Sequence, residues 1–585
     1  MSHTSLRGRI GFALAAGIWA VGNAGAAPAT FVNFESGHVR PLAMSADGSR
    51  LFAVNTPDNR LAIFDVTPTG LTLRGDVPVG LEPVAVAARQ TGAGGTEVWV
   101  VNHLSDSVSI VTIDAVDPAL SRVTGTLLVG DEPRDVVFAG PGQSRAFVTT
   151  ARRGQNVPVS VPARLVDPGV GRALVWAFDA EAPFADTAFD ADGAPSLLTG
   201  EPLAILELFT DTPRALSVSP DGQTVYAAGF HSGNQTTILP ERLVQPVVAG
   251  GLRLEPPPPA GSLYVGPCDP GGDDPGATPA YPCTGLIVRR NPTTGIWEDE
   301  LGQNWGQISQ VTTVMFDLPD RDVFAIDAAA ATPTLSTAFS GVGTVLFNMA
   351  VRPGSNALFV SNLEARNQVR FEPLIDATHG LNGHLAESRI TVVTGASINP
   401  VPINPHIDYS VAPGPPAETA PSLAFPLEMV FTSDGATLYV AGLGSEAIGV
   451  FDAAALEAGT VSKTLIPVGG GPTGLALDEA RNRLYVMQRF DQRIGIVTDL
   501  NDPTRRAMTS SVFLRHDPSS QAVKRGREFL YNAKRSGHGD AACASCHIFG
   551  DLDSLAWNLG NPFGAVADDP NPFIGLCELG AGGSG

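Results

Sequence analysis

An all-β chain built from one repeated unit of short strands is the fold class this sequence predicts, and three observations predict it. One pattern recurs seven times: a small turn with Pro or a substitute, an apolar strand, an Asp-Gly-like turn, a second strand resembling Tyr-Val-Thr-Asn, a polar turn and a third strand. Asp-Gly supplies the positive φ that a tight hairpin turn demands. Gly (64) and Pro (48) are abundant and charged residues make up only 16%, which favours short strands and tight turns over helical bundles. A period of about 40 to 50 residues made only of strands implies a β-propeller, whose alternating apolar strands bury one blade against the next. Seven copies predict seven blades.

The chain opens on a secretory signal. Arg7 and Arg9 form a positive start, Ile10 to Val21 an apolar run, and Asn23-Ala24-Gly25-Ala26 a small-residue cleavage site, so residues 1–26 are read as removed. A run that short cannot cross a bilayer core needing about 20 residues, and no later segment is apolar for long enough. A periplasmic or extracellular protein without an integral membrane span follows. The net charge of −22 excludes nucleic acid as a partner for the whole molecule, since phosphate binding needs clustered Lys and Arg. It favours a basic partner instead.

The repeats occupy 27–500. The first copy is Arg40-Pro41-Leu42-Ala43-Met44-Ser45-Ala46-Asp47-Gly48 with Leu51-Phe52-Ala53-Val54-Asn55 and Arg60 to Asp65. Later second strands are Trp99 to Asn102, Phe147 to Thr150, Tyr226 to Gly229, Phe359 to Asn362, Tyr439 to Gly442 and Tyr485 to Gln488. The turns recur as Pro220-Asp221-Gly222, Pro353-Gly354-Ser355, Ser433-Asp434-Gly435 and Glu479 to Asn482. This pattern is similar to the YVTN-type propeller family of secreted seven-bladed proteins, over Gly37 to about Asp499. Two insertions, 154–207 and 239–344, interrupt the period as blade-end loops or a hidden eighth blade.

Inside the second insertion Cys268 and Cys283 bracket a Pro- and Gly-rich loop, read as a disulfide worth about 3 kcal/mol by loop closure in an oxidising compartment. Asp269, Asp273 and Asp274 lack EF-hand spacing and are read as solvated. His103 and His231 follow second strands, and Arg40, Arg134 and Arg214 stand near the starts of innermost strands, where an axial channel would bring them to a ligand; ordinary loop polarity is the reading carried forward. His379, His384 and His406 are read as surface loop histidines. Architecture of this kind assigns no activity.

A linker at 501–518 precedes a helix from Gln521 to Tyr531, with Ser519 or Ser520 as N-cap and Val523, Phe529 and Leu530 as its apolar contacts. Lys524, Arg525, Arg527, Lys534 and Arg535 are read as its solvated face. Then comes Cys543-Ala544-Ser545-Cys546-His547. Two cysteines two residues apart followed at once by histidine form the attachment signature of a c-type haem: each thiol adds to a vinyl group, and the adjacent imidazole of His547 becomes the proximal iron ligand. A zinc half-site needs a second ligand pair not visible downstream, and a thioredoxin-like pair needs a βαβ setting. Cys577 is left over.

The Gly526 and Phe529 pair before the motif looks like the opening of class I cytochrome c domains. The run from Arg525 to Leu530, through Ser536-Gly537, the motif itself and Asp553 to Gly560, is similar to the bacterial di-haem cytochrome c peroxidase superfamily, over about 519–561. That resemblance implies two haems, one passing electrons and one meeting an oxidant; the second motif is absent from this sequence. No Met or His follows His547 to serve as distal ligand, and His538 is read as a loop residue. We read 519–585 as a small, incomplete all-α cytochrome c domain whose remainder lies beyond residue 585.

The expected function is electron transfer by covalent haem c, held by Cys543, Cys546 and His547, with a propeller that positions the haem or recruits a small redox protein or another electron donor or acceptor. The alternatives are a haem-dependent peroxidase, a redox enzyme using the propeller itself, as haem d1 nitrite reductases and quinoprotein amine dehydrogenases pair a propeller with a cytochrome, and a surface scaffold whose propeller binds partners.

Overall fold

The computed structural model describes residues 34–152, 171–184, 200–239, 286–300, 302, 305, 321–369, 381, 383–411 and 413–557. The signal segment, the Cys268–Cys283 loop, His379 and Cys577 lie outside the described residues. The protein is mostly β, in multiple antiparallel sheets with a propeller-like arrangement. Among the described residues five sheets have four strands each, covering 42–78, 83–128, 136–208, 426–467 and 472–513. An eight-stranded sheet covers 211–402, its two halves joined where His231 pairs with Val345. The strands Thr236–Leu239, Leu286–Arg290 and Trp297–Glu298 form a separate three-stranded sheet.

Local chemistry builds each hairpin the same way. Gly48 and Gly435 both adopt φ +67° in their Asp-Gly turns, a conformation that costs glycine nothing. The preceding aspartate completes the turn: Asp47 accepts the backbone N–H of Ser49 at 3.0 Å, and Asp434 that of Ala436 at 2.9 Å. After the second strand a short 3-10 turn ends on a left-handed residue, Asn59, Asp106 or Glu446, before the third strand starts.

The first strands of successive units are Leu42–Met44, Pro83–Gln90, Val136–Ala139, Asp211–Val218, Val345–Val351, Pro426–Phe431 and Pro472–Asp478. Each packs beside the next, and the last packs beside the first. The core is correspondingly divided into layers between sheets. Leu42, Ala53 and Phe64 meet Tyr485, Met487 and Ile496, so the last sheet closes on the first. Phe52, Val54 and Ile63 meet Val86, Val98 and Val100 at the next junction.

The structure corrects three boundaries. Ala173–Asp179 and Pro202–Leu208 lie in the supposed insertion at 154–207, yet they are the two outer strands of a regular four-stranded sheet. Val323–Asp327 and Thr334–Phe339 likewise complete the half-sheet begun at Asp211 rather than starting an eighth unit. Ala507–Phe513, inside the supposed linker, is the outermost strand of the last sheet. Among the described residues no helix is long and apolar enough to cross a membrane.

Candidate functional site

The chain after the last sheet folds back onto the ends of the inner strands. Ser520 starts the helix Gln521–Tyr531 by accepting the N–H of Val523, one of the end donors that a helix cannot satisfy itself. The buried face is not the apolar one the sequence suggests: Arg527 and Tyr531 are buried while Phe529 stands 64% exposed. Glu35 sets this phase, because it takes Arg527 Nε at 2.8 Å and the Tyr531 hydroxyl at 3.4 Å. Arg527 is therefore no part of a solvated basic face. Exposed Phe529 lies under the Arg535 guanidinium, 4.9 Å from its ring centre.

Next come the two cysteines. Cys543–Ser545 form a 3-10 turn, the N–H of Cys546 donates to the Cys543 carbonyl at 3.3 Å, and that of His547 donates to the same carbonyl at 2.9 Å. One helical turn thus carries Cys543, Cys546 and His547 at positions i, i+3 and i+4, which share a face. Cys543 and His547 are exposed and Cys546 is half-buried, and neither cysteine is in a disulfide. Burial, then Asp553 and Cys543, pushes the Cys546 thiol up to about 12, so its sulfur is neutral where it sits. Two free thiols, one exposed and one half-buried, on the same turn as an exposed imidazole fit thioether attachment of a haem. Among the described residues no group of three or more His, Cys, Asp or Glu converges to hold a metal ion directly.

The opposite face of this turn is anchored. Ala544 and Ile548 are wholly buried, and Phe549 is nearly so. Phe549 adopts φ +52°, a left-handed conformation that costs a bulky L-residue about 1–2 kcal/mol. The strain aims its ring into an aromatic collar of Phe230, Phe347, Phe425 and Tyr531, at centroid distances of 6.1, 6.4, 5.9 and 6.3 Å. A side chain at Gly37 would meet the Phe549 ring at 2.5 Å, so the close approach there requires glycine.

Beneath the collar the inner strands bring charged groups together. Arg214, 1% exposed, lies 4.7 Å from the Phe549 ring centre and 4.9 Å from that of Phe230. Its Nε donates to the Phe347 carbonyl at 2.9 Å, and Nη2 donates to the His38 carbonyl. Arg134 covers Phe230 at 5.3 Å. His103 reaches the Pro133 carbonyl, and burial followed by Arg134 pushes it down to about 3; it is neutral at physiological pH. His231 is buried against Phe230. Ordinary loop polarity is thus the wrong reading for His103, His231, Arg134 and Arg214. Arg40 also turns inward, donating to Leu216 O at 2.8 Å and lying 3.4 Å from Asp135 and 3.6 Å from Glu428.

Comparisons with known proteins add little to this geometry. No family model matches the sequence, and no curated protein matches it. Solved structures with a similar course include Kuenenia stuttgartiensis hydrazine synthase, at 16% identity and TM-score 0.47, covering 82% of this chain and 100% of that one. Another is a putative 6-phosphogluconolactonase from Bacteroides uniformis, at 12% identity and TM-score 0.40, covering 78% and 94%. Apo AztD from Citrobacter koseri matches at 12% identity and TM-score 0.37, covering 82% and 87%.

Sequence reasoning passed over His38, Glu35 and Glu82. The His38 ring sits between Thr473 Oγ1 at 2.8 Å and Thr56 Oγ1 at 2.6 Å, and burial followed by Arg489, Arg527 and Arg214 holds its pKa well below the usual value. Burial pushes Glu82 up to about 7 against the opposing pull of Arg489. A carboxyl whose folded pKa is raised binds a proton more tightly folded than unfolded, so it withdraws stability as pH rises from its unfolded value of 4.5 through 7. Glu82→Gln should therefore gain on the wild type across that window, by on the order of 3 kcal/mol at its upper end. Denaturation midpoints of both proteins at pH 4.5 and 8 measure it; an unchanging difference refutes it.

The remaining histidines split. His406 is exposed, as its sequence context suggests, but His384 is buried and stacks on Tyr409 at 3.5 Å. His538, read as a loop residue, is 1% exposed and meets the edge of the same Tyr409 at 4.9 Å. Its ring is held in that cluster.

Proposed function

We propose that this is an exported electron-transfer protein in which a seven-bladed β-propeller carries a c-type haem segment. Five four-stranded sheets and two four-stranded halves of the eight-stranded one support that blade count. One observation carries the functional reading: Cys543, Cys546 and His547 lie on a single helical turn, the first and last exposed and Cys546 half-buried, while Ala544, Ile548 and Phe549 bury its other side in the aromatic collar.

Each thiol would add across a vinyl group of haem, forming a carbon–sulfur bond while the thiol proton passes to the second vinyl carbon. Bound haem c supplies a one-electron Fe(III)/Fe(II) couple. Cys543 and Cys546 would tether the haem, and His547 would offer a ring nitrogen as the proximal iron ligand. Ala544, Ile548 and Phe549 keep the turn from moving against the propeller, which favours a fixed distance to a docked partner. The net charge of −22 favours a basic redox protein as that partner. Conversion of Cys543 and Cys546 together to alanine tests the assignment: covalent haem is lost while the β-rich circular dichroism stays.

A further inference from the structure

A cavity of about 320 Å3 opens where the strands Leu358–Ala365 and Ala386–Thr394 end, lined by Asn234, Arg289, Glu364, Arg366, Gln368 and Arg389. Its volume is that of a small-ligand site. The charges on its wall do not cancel. Glu364 is shared by two arginines, with Oε1 2.8 Å from Arg289 and Oε2 2.8 Å from Arg389. Glu387, also on the wall, lies 3.2 Å from His384 and 4.0 Å from Arg389. Arg366 is the third arginine, and among the described residues no carboxylate stands at ion-pair distance from it. It donates instead to His384 Nδ1 at 2.6 Å, which spends one donor of a planar fork built to grip two oxygens at once.

We infer that this cavity binds a small oxyanion, a carboxylate or an inorganic oxyanion, with Arg366 as its bidentate anchor. Arg289, 45% exposed at its side chain, gives the mouth a positive charge on an acidic protein and draws anions in. The site is connected to the cysteine turn. His384 holds Arg366 and stacks on Tyr409, whose hydroxyl donates to buried Asp540, three residues before Cys543. Asn367, beside the anchor, donates to the Ala556 carbonyl at 3.0 Å on the far side of the motif. The occupant therefore touches the wall on which the motif's flanking segments rest, though its binding does not depend on haem.

Calorimetry and thermal-shift titration of the full chain with acetate, succinate and sulfate, at constant ionic strength set with chloride, test the inference. Saturable binding of at least one probe is expected, a preference for the carboxylates or for sulfate telling the two sources apart. Arg366→Gln should weaken it at least tenfold and Arg366→Lys by less, because the ammonium keeps the charge and loses the fork. Gln368→Glu, which puts a like charge on the wall, should abolish binding and decides the question if Arg366→Gln fails to fold. The Cys543→Ala, Cys546→Ala protein should bind as the wild type does, so a failure of haem attachment leaves this result readable. No saturable binding of any probe, or unchanged affinity in Arg366→Gln or Gln368→Glu, overturns the inference; loss of binding in the cysteine-free protein overturns the site as one independent of haem.

Discussion

Arg214→Ala should destabilise the protein by about 3–5 kcal/mol, the range found when a large core side chain is truncated. Arg214 is among the largest fully buried side chains of the molecule, and no part of its loss is absorbed by solvent. Truncation empties the space under Phe230 and Phe549 and strips the carbonyls of Phe347 and His38 of their donor. Each buried carbonyl so orphaned accounts for about 1–3 kcal/mol of that total. Those carbonyls belong to different units of the ring, one before the first strand and one in Val345–Val351, so the guanidinium ties the ring together across its axis. Arg214→Met separates the contributions: it refills most of the volume without restoring a donor, so it recovers the cavity cost and leaves both carbonyls orphaned. Urea midpoints should thus place Met between wild type and Ala. Equal loss in Met and Ala would mean the hydrogen bonds dominate, and no loss in Ala would remove Arg214 from the core account.

Phe549→Ala should release the C-terminal segment without unfolding the sheets. The ring touches Phe230, Phe347 and Phe425 from the inner strands and Tyr531 from the helix, which makes it the wedge between the two. Removing a buried phenylalanine costs about 3–5 kcal/mol, and alanine keeps the Cβ that makes the left-handed backbone costly, so that strain stays. Local opening that becomes easier by roughly 3–5 kcal/mol raises amide exchange by about two to three orders of magnitude. Exchange in Gln521–Tyr531 and Cys543–Ser545 should rise accordingly, while strands such as Tyr485 in Arg483–Gln488 keep their protection. A uniform rise throughout the chain would contradict the wedge.

Much of the architecture is legible in the sequence because its turn chemistry is strict. Asp47-Gly48 and Asp434-Gly435 recur with the same φ and the same aspartate caps, and residues with those demands punctuate the strands visibly. What hid strands was spacing. The stretch between Arg145–Ala151 and Ala173–Asp179 is far longer than in the other units, so two regular strands fell into an apparent insertion. Ala507–Phe513 escaped for another reason: as an outermost strand it is mostly exposed and shows no apolar alternation.

The site was legible in composition and not in placement. The spacing of Cys543, Cys546 and His547 stands out in any reading. Arg134 and Arg214 stood out by their place near the starts of innermost strands, but their inward packing did not, since arginine is rarely buried and loop position argued for solvent. The available signal was positional: Pro133-Arg134 and Pro213-Arg214 occupy equivalent places in a cyclic repeat, and equivalent places at the starts of innermost strands converge on the axis. The helix phase had no sequence signal, because Glu35, almost five hundred residues upstream, pulls Arg527 and Tyr531 inward and turns Phe529 out.

The central claim is that Cys543 and Cys546 carry haem through thioether bonds. Exported full-length protein from a host equipped for c-type haem maturation, unfolded in acid and examined by intact mass and by its reduced pyridine spectrum, tests it most directly. The account predicts haem that stays with the unfolded chain, gives the thioether-type absorption band, and is absent from the Cys543→Ala, Cys546→Ala protein. Wild-type chain that carries no haem, or that releases it on unfolding, would contradict the account.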